Sequence, residues 1–422
     1  MDKQILKQIL RENQQEVERY VVEPRNIQLD GFSCRVLVGV RCAGKSYMLY
    51  HCIQQLLAEG HNWDEMLYLN FEDERLDSFT ASDFNLLLEC HQEMYGKQPK
   101  LFLDEIQNID GWHKFARRMA DSQYTIYITG SNAKMLSGEI NTTLGGRFLT
   151  TEINPYSFKE YLSVHKVPTD EIELLTTQGR ARVVRCFNEY LNYGGLPAAA
   201  HLPAKRDYLS SVYQKIYVGD IIARNKITNV AGMRVLVRKL AESVCRPISY
   251  NRINNLLSSV GGKLSLATTI KYVDYCEDAW LLLRLRNFAT SLAERESNSK
   301  YYFIDPGILG LFLINKEAMF LENLIAIHLF RIYGHDLGYD RVFFYNDKYE
   351  VDFYIPDEQL AIQVSYSLRD EETRKREVEA LQKLTKRLPC KRRVIITFDE
   401  EEAITDSFGN IEVIPGWKWL ME

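Results

Sequence analysis

One stretch near the start of the chain has the residue types and spacing of a phosphate-binding loop. Residues 39–46 fit the pattern Gly-x4-Gly-Lys-Ser, directly after an apolar run and before a helical pattern. Glycines let such a loop point its N–H groups at phosphate oxygens, and the following helix contributes the positive end of its dipole. We expect Lys45 to reach the β- and γ-phosphates of ATP and the Ser46 hydroxyl to bind Mg²⁺. The predicted nucleotide-binding residues are Gly39, Val40, Arg41, Cys42, Ala43, Gly44, Lys45 and Ser46.

Two adjacent acids, Asp104 and Glu105, end the apolar run 100–103. In a buried strand beside a phosphate site, Asp104 would hold Mg²⁺ through water, and Glu105 would act as the general base that polarises the attacking water. The alternative is an ordinary strand end with its acids in solvent. The spacing favours the first interpretation, because one strand and one helix fit between the loop and the acids. An acid pair also favours hydrolysis over binding alone.

Polar and basic residues after two further apolar stretches could complete the site. Thr129, Ser131 and Asn132 end the run 124–129 and can orient the attacking water, although a polar turn after a strand is the alternative. Arg147 follows two glycines and can approach the γ-phosphate of its own site or of a neighbour's, with Arg41 as a second candidate. The alternative for either arginine is a structural ion pair.

The surrounding sequence indicates the elements that position these residues. Apolar runs separated by helical patterns predict a parallel sheet covered on both faces up to about residue 153. From about residue 157 the pattern is helical. Three short helices and two apolar strands then follow in the order of a winged helix-turn-helix, with 265–279 as the recognition helix and Ser265 as its cap. From about residue 297 the pattern is again α/β.

Together, these motifs resemble a group of prokaryotic AAA+-superfamily ATPases. The shared features are the GxRxxGKS loop, the DEIQ strand, the ITGS strand end, the GGR turn, and the NPYSFKEY and YGGLP segments at 154–161 and 193–197. The resemblance implies a P-loop NTPase sheet with strand order 5-1-4-3-2. It also implies a C-terminal α/β domain similar to restriction endonucleases, of the PD-(D/E)xK fold. The predicted organisation is an N-terminal helix (1–24), the ATPase core (25–156), a helical lid (157–228), a winged helix (229–296) and the nuclease-like domain (297–422).

The residues that match the nuclease motif form an incomplete set. Glu322 fits the helix acid, and Asp352 fits the strand Asp. The Glu-x-Lys position reads Gln363-Val364-Ser365, and serine cannot replace a lysine ammonium, although glutamine can offer a carbonyl oxygen to a metal. Lys375 on the next predicted helix is a conceivable substitute. We therefore expect an inactive scaffold or a DNA-binding remnant rather than an active nuclease.

Composition narrows the class of protein. The 422 residues carry a net charge of −5, the eight cysteines form no CxxC pair, and no run of 18 apolar residues occurs. These features favour a cytoplasmic protein without a membrane span, a disulfide framework or a zinc site. Residues 205–286, however, contain 14 Lys and Arg against six Asp and Glu, a net of +8. Nucleic-acid phosphates are one reason for such a segment, and a solvated helix face is the other.

The sequence thus predicts an ATPase that needs ATP and Mg²⁺ and that couples hydrolysis to rearrangement of the downstream domains. The basic segment 205–286 favours DNA or RNA as the partner. An ATP-dependent switch that binds a protein partner is the main alternative, and an ATP-powered metal nuclease is the third. The oligomeric state is left open.

Overall fold

Two units make up the chain in the computed structural model, Met1–Asn154 and Pro155–Glu422. The structure describes residues 1–422 apart from residues 24, 26, 28–33, 132–142, 262–263, 289–290, 292–294, 296–297 and 337–338. Asn132, one of the predicted catalytic residues, therefore lies outside the described residues. Among the described residues, no helix has the length and apolar character needed to cross a bilayer.

The first unit is built on a five-stranded parallel sheet with the order β2-β3-β4-β1-β5. Read from the other edge, this is the predicted order 5-1-4-3-2, so that prediction is confirmed. The residues of β1 are all buried, as expected for a strand covered on both faces. The strands are β1 (Cys34–Val38), β2 (Met66–Asn70), β3 (Lys100–Asp104), β4 (Ile126–Gly130) and β5 (Leu149–Glu152). The helices are α1 (Lys3–Arg19), α2 (Lys45–Ala58), α3 (Phe84–Tyr95) and α4 (Trp112–Asp121), with 3-10 turns at Trp63–Glu65, Glu74–Leu76, Ala81–Asp83 and Ile106–Asn108.

This strand order brings the predicted motifs to one edge of the sheet. Strand β4 lies between β3 and β1, with Leu103 opposite Ile128 and Val38 opposite Gly130. The carboxyl ends of parallel strands meet at one edge, and this is where α/β folds bind ligands. The phosphate-binding loop, the two acids and the ITGS strand end therefore lie side by side.

The glycine that opens the loop is required by a close backbone approach. Gly39 has φ of +145°, and a Cβ atom there would lie 2.2 Å from the Ile153 carbonyl oxygen. The adjacent β5 segment is tied to β1 at the same point, because the Ile153 N–H donates to the Val38 carbonyl oxygen at 2.7 Å. No side chain larger than hydrogen fits at residue 39 while this pairing is kept.

The second unit begins with helices and ends in a large mixed sheet. Its helices are α5 (Phe158–Val164), α6 (Glu171–Leu175), α7 (Thr177–Tyr193), α8 (Pro197–His201), α9 (Lys205–Gln214), α10 (Val230–Glu242), α11 (Tyr250–Gly261), α12 (Leu266–Asp278), α13 (Pro306–Leu309), α14 (Glu317–Tyr333), α15 (Glu371–Thr385) and α16 (Gly416–Trp419). A π-helical stretch, Lys215–Ala223, continues α9. The strands are β6 (Ile248–Ser249), β7 (Leu282–Asn287), β8 (Asn298–Phe303), β9 (His335–Asp336), β10 (Tyr339–Asp340), β11 (Phe343–Asn346), β12 (Glu350–Ile355), β13 (Leu360–Val364), β14 (Arg392–Thr397), β15 (Glu402–Asp406) and β16 (Gly409–Pro415).

Nine of these strands form one sheet, with the order β15-β16-β14-β13-β12-β11-β7-β8-β6, and β9 and β10 pair separately. The two apolar strands predicted after the three short helices are β7 and β8, which pair antiparallel, and the winged helix itself stays a prediction. The hairpin does not end the sheet, because β7 also pairs with β11 in parallel. The predicted boundary between residues 296 and 297 falls between the two hairpin strands. The division of the chain into five domains stays a prediction.

A buried carboxylate explains the YGGLP segment. Asp305, which caps α13, accepts hydrogen bonds from the N–H groups of Gly195 (2.8 Å), Gly307 (2.9 Å) and Ile308 (3.3 Å). A Cβ atom at Gly194, where φ is +75°, would lie 2.0 Å from the same carboxylate. Asp305 therefore fixes the end of α7 against the start of α13. Burial raises the pKa of this carboxyl to about 6.

We predict that Asp305→Ala lowers the free energy of unfolding by about 3 kcal/mol or more. Three backbone N–H groups would lose their acceptor in the interior, and each unpaired buried donor costs about 1–3 kcal/mol. Thermal and urea denaturation of the two proteins measures the difference. Asp370→Ala is the matched control, because it removes an exposed helix cap that accepts from the Thr373 N–H and should cost only about 1 kcal/mol. Equal losses in the two variants would contradict the assigned role of Asp305.

Candidate functional site

The phosphate-binding loop is shaped by two residues in left-handed conformation. Cys42 has φ of +61° and Gly44 has φ of +99°, and α2 starts at Lys45 directly after them. The Lys45 side chain is buried and donates to the carbonyl oxygens of Gly39 and Val40 at 3.1 Å each. The loop thus curls around its own lysine ammonium at the N-terminus of a helix, which is the arrangement that binds phosphate.

Asp104 ends β3 and is fully buried. One carboxylate oxygen, Oδ1, accepts a short hydrogen bond from the Thr129 hydroxyl, and the other, Oδ2, accepts from the Tyr68 hydroxyl at 3.0 Å. The Ser46 side chain is close enough to this carboxyl group to lower its pKa. The first residues of α2 and the end of β3 therefore meet at Asp104, as the sequence predicts for a magnesium site.

The pKa of Asp104 is raised to about 6. Burial is the main cause, and the neighbouring Glu105 charge adds to it, because both disfavour the ionised form. Hydrogen bonds from Thr129, Ser46 and Tyr68 act in the opposite direction and lower the pKa. The carboxylate is therefore ionised at neutral pH, and it is surrounded by hydroxyl groups.

Glu105 occupies a special backbone position directly after the strand. Its φ and ψ are 50° and 41°, in the left-handed region that few residues other than glycine adopt. The Glu105 N–H donates to Thr129 Oγ1 at 2.8 Å, and Gln107 Nε2 donates a short hydrogen bond to Glu105 Oε2. The other carboxylate oxygen, Oε1, lies 3.9 Å from Lys45 Nζ. Glu105 therefore faces the phosphate end of the loop, where a general base would act.

Thr129 lies at the centre of the acid pair. Its buried hydroxyl donates to Asp104 and accepts from the Glu105 N–H, so it links the ends of β3 and β4. The sequence predicts that Thr129 orients the attacking water. Its contacts with Asp104 and with the Glu105 N–H give it a second role, in positioning both acids. Ser131 is also buried and lies 3.4 Å from Gln107 Nε2, measured from its hydroxyl oxygen.

The two arginine candidates make ion pairs. Arg147 Nε lies 2.5 Å from Asp121 Oδ1 at the end of α4, and both side chains are partly exposed. Arg41 Nη1 lies 2.9 Å from Glu72 Oε1. The ion-pair alternative considered for Arg147 is therefore present within the chain. A role for either arginine at a γ-phosphate, in its own site or a neighbour's, stays a prediction.

The residues at the strand ends fit a magnesium ion. Mg²⁺ prefers oxygen ligands and commonly binds through one or two protein oxygens, with waters and phosphates as the rest. The Ser46 hydroxyl and the Asp104 carboxylate supply such oxygens next to the phosphate-binding loop. Ser46 would bind the ion directly and Asp104 through water, as the sequence predicts.

Two further residues, Tyr68 and Gln107, contact the acids of the site, and the sequence motifs did not assign a role to either. Tyr68, in the middle of β2, reaches Asp104, and its hydroxyl lies 3.2 Å from that of Tyr50 on α2. No pattern marks a tyrosine inside an apolar strand as a site residue. Gln107 donates a hydrogen bond to Glu105. Its place as the last residue of the DEIQ motif could have indicated a role beside the acids.

The three residues of the predicted nuclease remnant also lie together, in the second unit. Glu322 on α14 and Asp352 on β12 both contact the Lys300 ammonium at 3.2 Å. Gln363 on β13 donates to Glu377 Oε2 at 2.8 Å, and its carbonyl oxygen accepts from the Asp352 N–H at 2.8 Å. The carbonyl oxygen that a glutamine here could offer to a metal thus already accepts a hydrogen bond from the backbone.

Comparison with known proteins agrees with this geometry. The AAA domain family matches residues 32–162, and a domain of unknown function (DUF8612) matches residues 184–318. An uncharacterized protein of Methanocaldococcus jannaschii is 34% identical over 439 residues, covering 100% of this chain and 96% of that protein. The chain belongs to the same family. An uncharacterized protein of Haemophilus influenzae is 32% identical over 347 residues, covering 79% of this chain and 82% of that protein. The first unit of this family member is a P-loop ATPase domain of the AAA+ class.

Solved structures give weaker matches. The Walker-type ATPase of Pyrococcus abyssi is 13% identical, with a TM-score of 0.36 over 74% of this chain and 96% of that one. The ORC1 protein of Aeropyrum pernix, solved in complex with DNA, is 13% identical, with a TM-score of 0.32 over 77% and 91%. Structural matches with TM-scores this low do not indicate function.

The buried Asp104 generates a prediction about pH. Its carboxyl takes up a proton as the pH falls through about 6, and the neutral form no longer attracts a cation. The Mg²⁺ concentration needed for half-maximal binding of a fluorescent ATP analogue should therefore rise below pH 6. In Tyr68→Phe the rise should begin about 0.7 pH unit higher, because a lost hydrogen bond worth about 1 kcal/mol shifts the pKa by that amount.

Tyr127→Phe is the matched control for this measurement. It removes a phenol hydroxyl from β4 of the same sheet, where the Tyr127 ring stacks on Phe102. Its magnesium profile should follow that of the unchanged protein. A Tyr68→Phe profile that also coincides with the unchanged protein would show that the Tyr68 hydroxyl does not support Asp104.

Proposed function

We propose that the protein binds Mg²⁺–ATP at the edge of the first sheet and hydrolyses it to ADP and phosphate. The observation that carries this proposal is the meeting of two motifs, because Glu105 Oε1, directly after β3, lies 3.9 Å from Lys45 Nζ of the phosphate-binding loop. A loop that only binds phosphate does not need a second, orientable carboxylate beside its lysine. The match of residues 32–162 to the AAA domain family supports the same assignment.

Different residues of the site have different roles in the proposed hydrolysis. Backbone N–H groups of residues 39–46 and the N-terminus of α2 bind the phosphates, and Lys45 exchanges its bonds to the loop carbonyls for bonds to the β- and γ-phosphates. Bound Mg²⁺, held by Ser46 and by Asp104 through water, would neutralise phosphate charge. Glu105, fixed by its N–H bond to Thr129 and by Gln107, polarises the water that attacks the γ-phosphorus.

We predict that Lys45→Ala abolishes ATP binding, whereas Glu105→Gln binds ATP and loses at least about 100-fold in turnover. Removal of a general base typically costs about 10²–10⁴-fold in rate and leaves the phosphate contacts in place. Phosphate release and binding of a fluorescent ATP analogue measure the two steps separately. Glu89→Gln, an exposed change on α3 of the same unit, is the control and should behave as the unchanged protein. Equal turnover in Glu105→Gln and the unchanged protein would rule out the assignment of the base.

We further propose that the second unit binds the phosphates of DNA or RNA. Basic side chains of the segment 205–286 reach solvent on α10, where Arg234 and Arg238 are exposed, and on α11, where Arg252 is exposed. In contrast, Arg284 and Arg286 of β7 are ion-paired with Glu277 at 3.1 Å and with Asp340 at 2.8 Å. Most of the exposed basic side chains of the segment therefore lie on helices.

The charge on the individual helices identifies α10 as the main contact. The helix α12, expected as the recognition helix, has one basic residue, Lys271, against Asp274, Glu277 and Asp278. The helix α10 has three basic residues against one acid, Glu242. Because the phosphate backbone dominates affinity for nucleic acids, an acidic helix is a poor first contact. The proposal therefore assigns phosphate binding to α10.

We predict that Arg234→Ala/Arg238→Ala weakens DNA binding and lowers the slope of log Kd against log salt by about 2, one unit per lost phosphate contact. Lys271→Ala should have little effect. Fluorescence anisotropy of a labelled duplex at several salt concentrations measures both quantities. Lys383→Ala/Lys386→Ala removes the same charge at the end of α15 and serves as the control. No binding even at low salt would favour the switch that recognises a protein partner.

A further inference from the structure

A lysine that no motif marked lies inside the group of acids predicted as a nuclease remnant. Lys300, on β8, is fully buried, and its Nζ lies 2.7 Å from Glu350 Oε1, 3.2 Å from Glu322 Oε1 and 3.2 Å from Asp352 Oδ1. An ammonium group has three donors and no acceptor. Two of these donors bond to Glu322 and Asp352, and Glu350 is in ion-pair contact, so three carboxylates enclose the ammonium.

The carboxylate oxygens of this cluster have other partners as well. Asp352 Oδ2 accepts from the Val364 N–H at 2.9 Å, and Glu350 Oε2 accepts from Asn346 Nδ2 at 2.8 Å. The Tyr302 hydroxyl donates to Glu322 Oε1 at 2.7 Å. Both carboxylate oxygens of Glu350 and of Asp352, and Oε1 of Glu322, are thus in contact with protein donors. In the part of the chain that the structure describes, no group of His, Cys, Asp or Glu residues forms a metal-binding cluster.

We propose that Lys300 Nζ is the permanent cation of this acid cluster and stands in the place where a divalent metal would be bound by a nuclease of the predicted fold. The acids then form a closed ion network that joins β8 to α14 and β12, and they do not bind Mg²⁺. This assignment concerns the second unit alone, and it is independent of ATP hydrolysis in the first.

Charge explains why the lysine and a metal exclude each other. Glu322, Glu350 and Asp352 bring three carboxylates to one point, and in the interior such a group requires a cation within contact distance. The ammonium supplies it without any ion from solution. A divalent ion at the same place would meet the full repulsion of a buried positive charge. Removal of the ammonium should therefore both destabilise the fold and create affinity for a metal.

The same contacts distinguish Lys300 from a catalytic lysine that has moved to another strand. A catalytic lysine needs a donor for the attacking water beside a metal held by free carboxylate oxygens. Lys300 is fully buried and enclosed by the three carboxylates, and Gln363, at the position of the motif glutamate, accepts from the Asp352 N–H with its carbonyl oxygen. Lys375, the substitute considered from the sequence, is exposed on α15 and lies 3.9 Å from Glu379.

The test is a Mn²⁺ titration of the full-length protein without nucleotide, followed by thermal denaturation and by calorimetry. All proteins carry Asp104→Asn, so that the ATP site contributes no metal binding. We expect no Mn²⁺ response from the parent protein or from Lys383→Met, a control that removes an exposed lysine of α15. We expect Lys300→Met to unfold several degrees lower and to be stabilised by Mn²⁺. Asp352→Asn added to the Lys300→Met protein should remove that stabilisation by Mn²⁺.

Three results would overturn the proposal. The first is stoichiometric binding of Mn²⁺ by the parent protein that Asp352→Asn abolishes, and this measurement remains decisive if Lys300→Met does not fold. The second is a folded Lys300→Met protein with no Mn²⁺ response. The third is Mn²⁺-dependent plasmid cleavage by the parent protein that both Lys300→Met and Asp352→Asn abolish, which would make Lys300 a catalytic lysine.

Discussion

The hydroxyl of Thr129 is the contact on which the ATP site depends. It donates to Asp104 and accepts from the N–H of Glu105, so one atom fixes the position of both acids. This contact requires β4 to lie between β3 and β1, because only then do the acid-bearing strand and the strand before the phosphate loop both flank Thr129. The strand order of the sheet is thus the condition for bringing Lys45 and Glu105 within 3.9 Å.

Buried carboxylates are stabilised by different kinds of group in the two units. In the first unit Asp104 is surrounded by hydroxyl groups, which stabilise its ionised form without supplying a positive charge. In the second unit Lys300 compensates Glu322 and Asp352 within the chain. The two sites therefore differ in whether a protein cation is in contact with the buried acid.

Sequence alone predicted the local parts of the site and the strand order, and it missed the contacts between distant segments. The residues 39–46 and the pair Asp104–Glu105 are continuous motifs, and the five-stranded order follows from the resemblance that they support. Tyr68 and Lys300 carry no local signal, because Tyr68 lies inside an apolar strand and Lys300 ends the polar run Asn298–Lys300 at the start of β8. Their partners are 36 residues away for Tyr68, and 22 and 52 residues away for Lys300. Only the fold brings such pairs together.

Contacts between distant segments also determine how much of the positive charge of the basic segment 205–286 is exposed. Counted along the chain, every Lys and Arg between residues 205 and 286 adds to the net charge of +8. In the folded unit, β7 and β8 are almost entirely buried in a nine-stranded sheet, and Arg284 and Arg286 are neutralised by acids. Charge that is paired inside a sheet cannot contact a phosphate backbone. Within the segment 205–286, the exposed basic side chains therefore lie mainly on helices such as α10, and not on the strands of the hairpin.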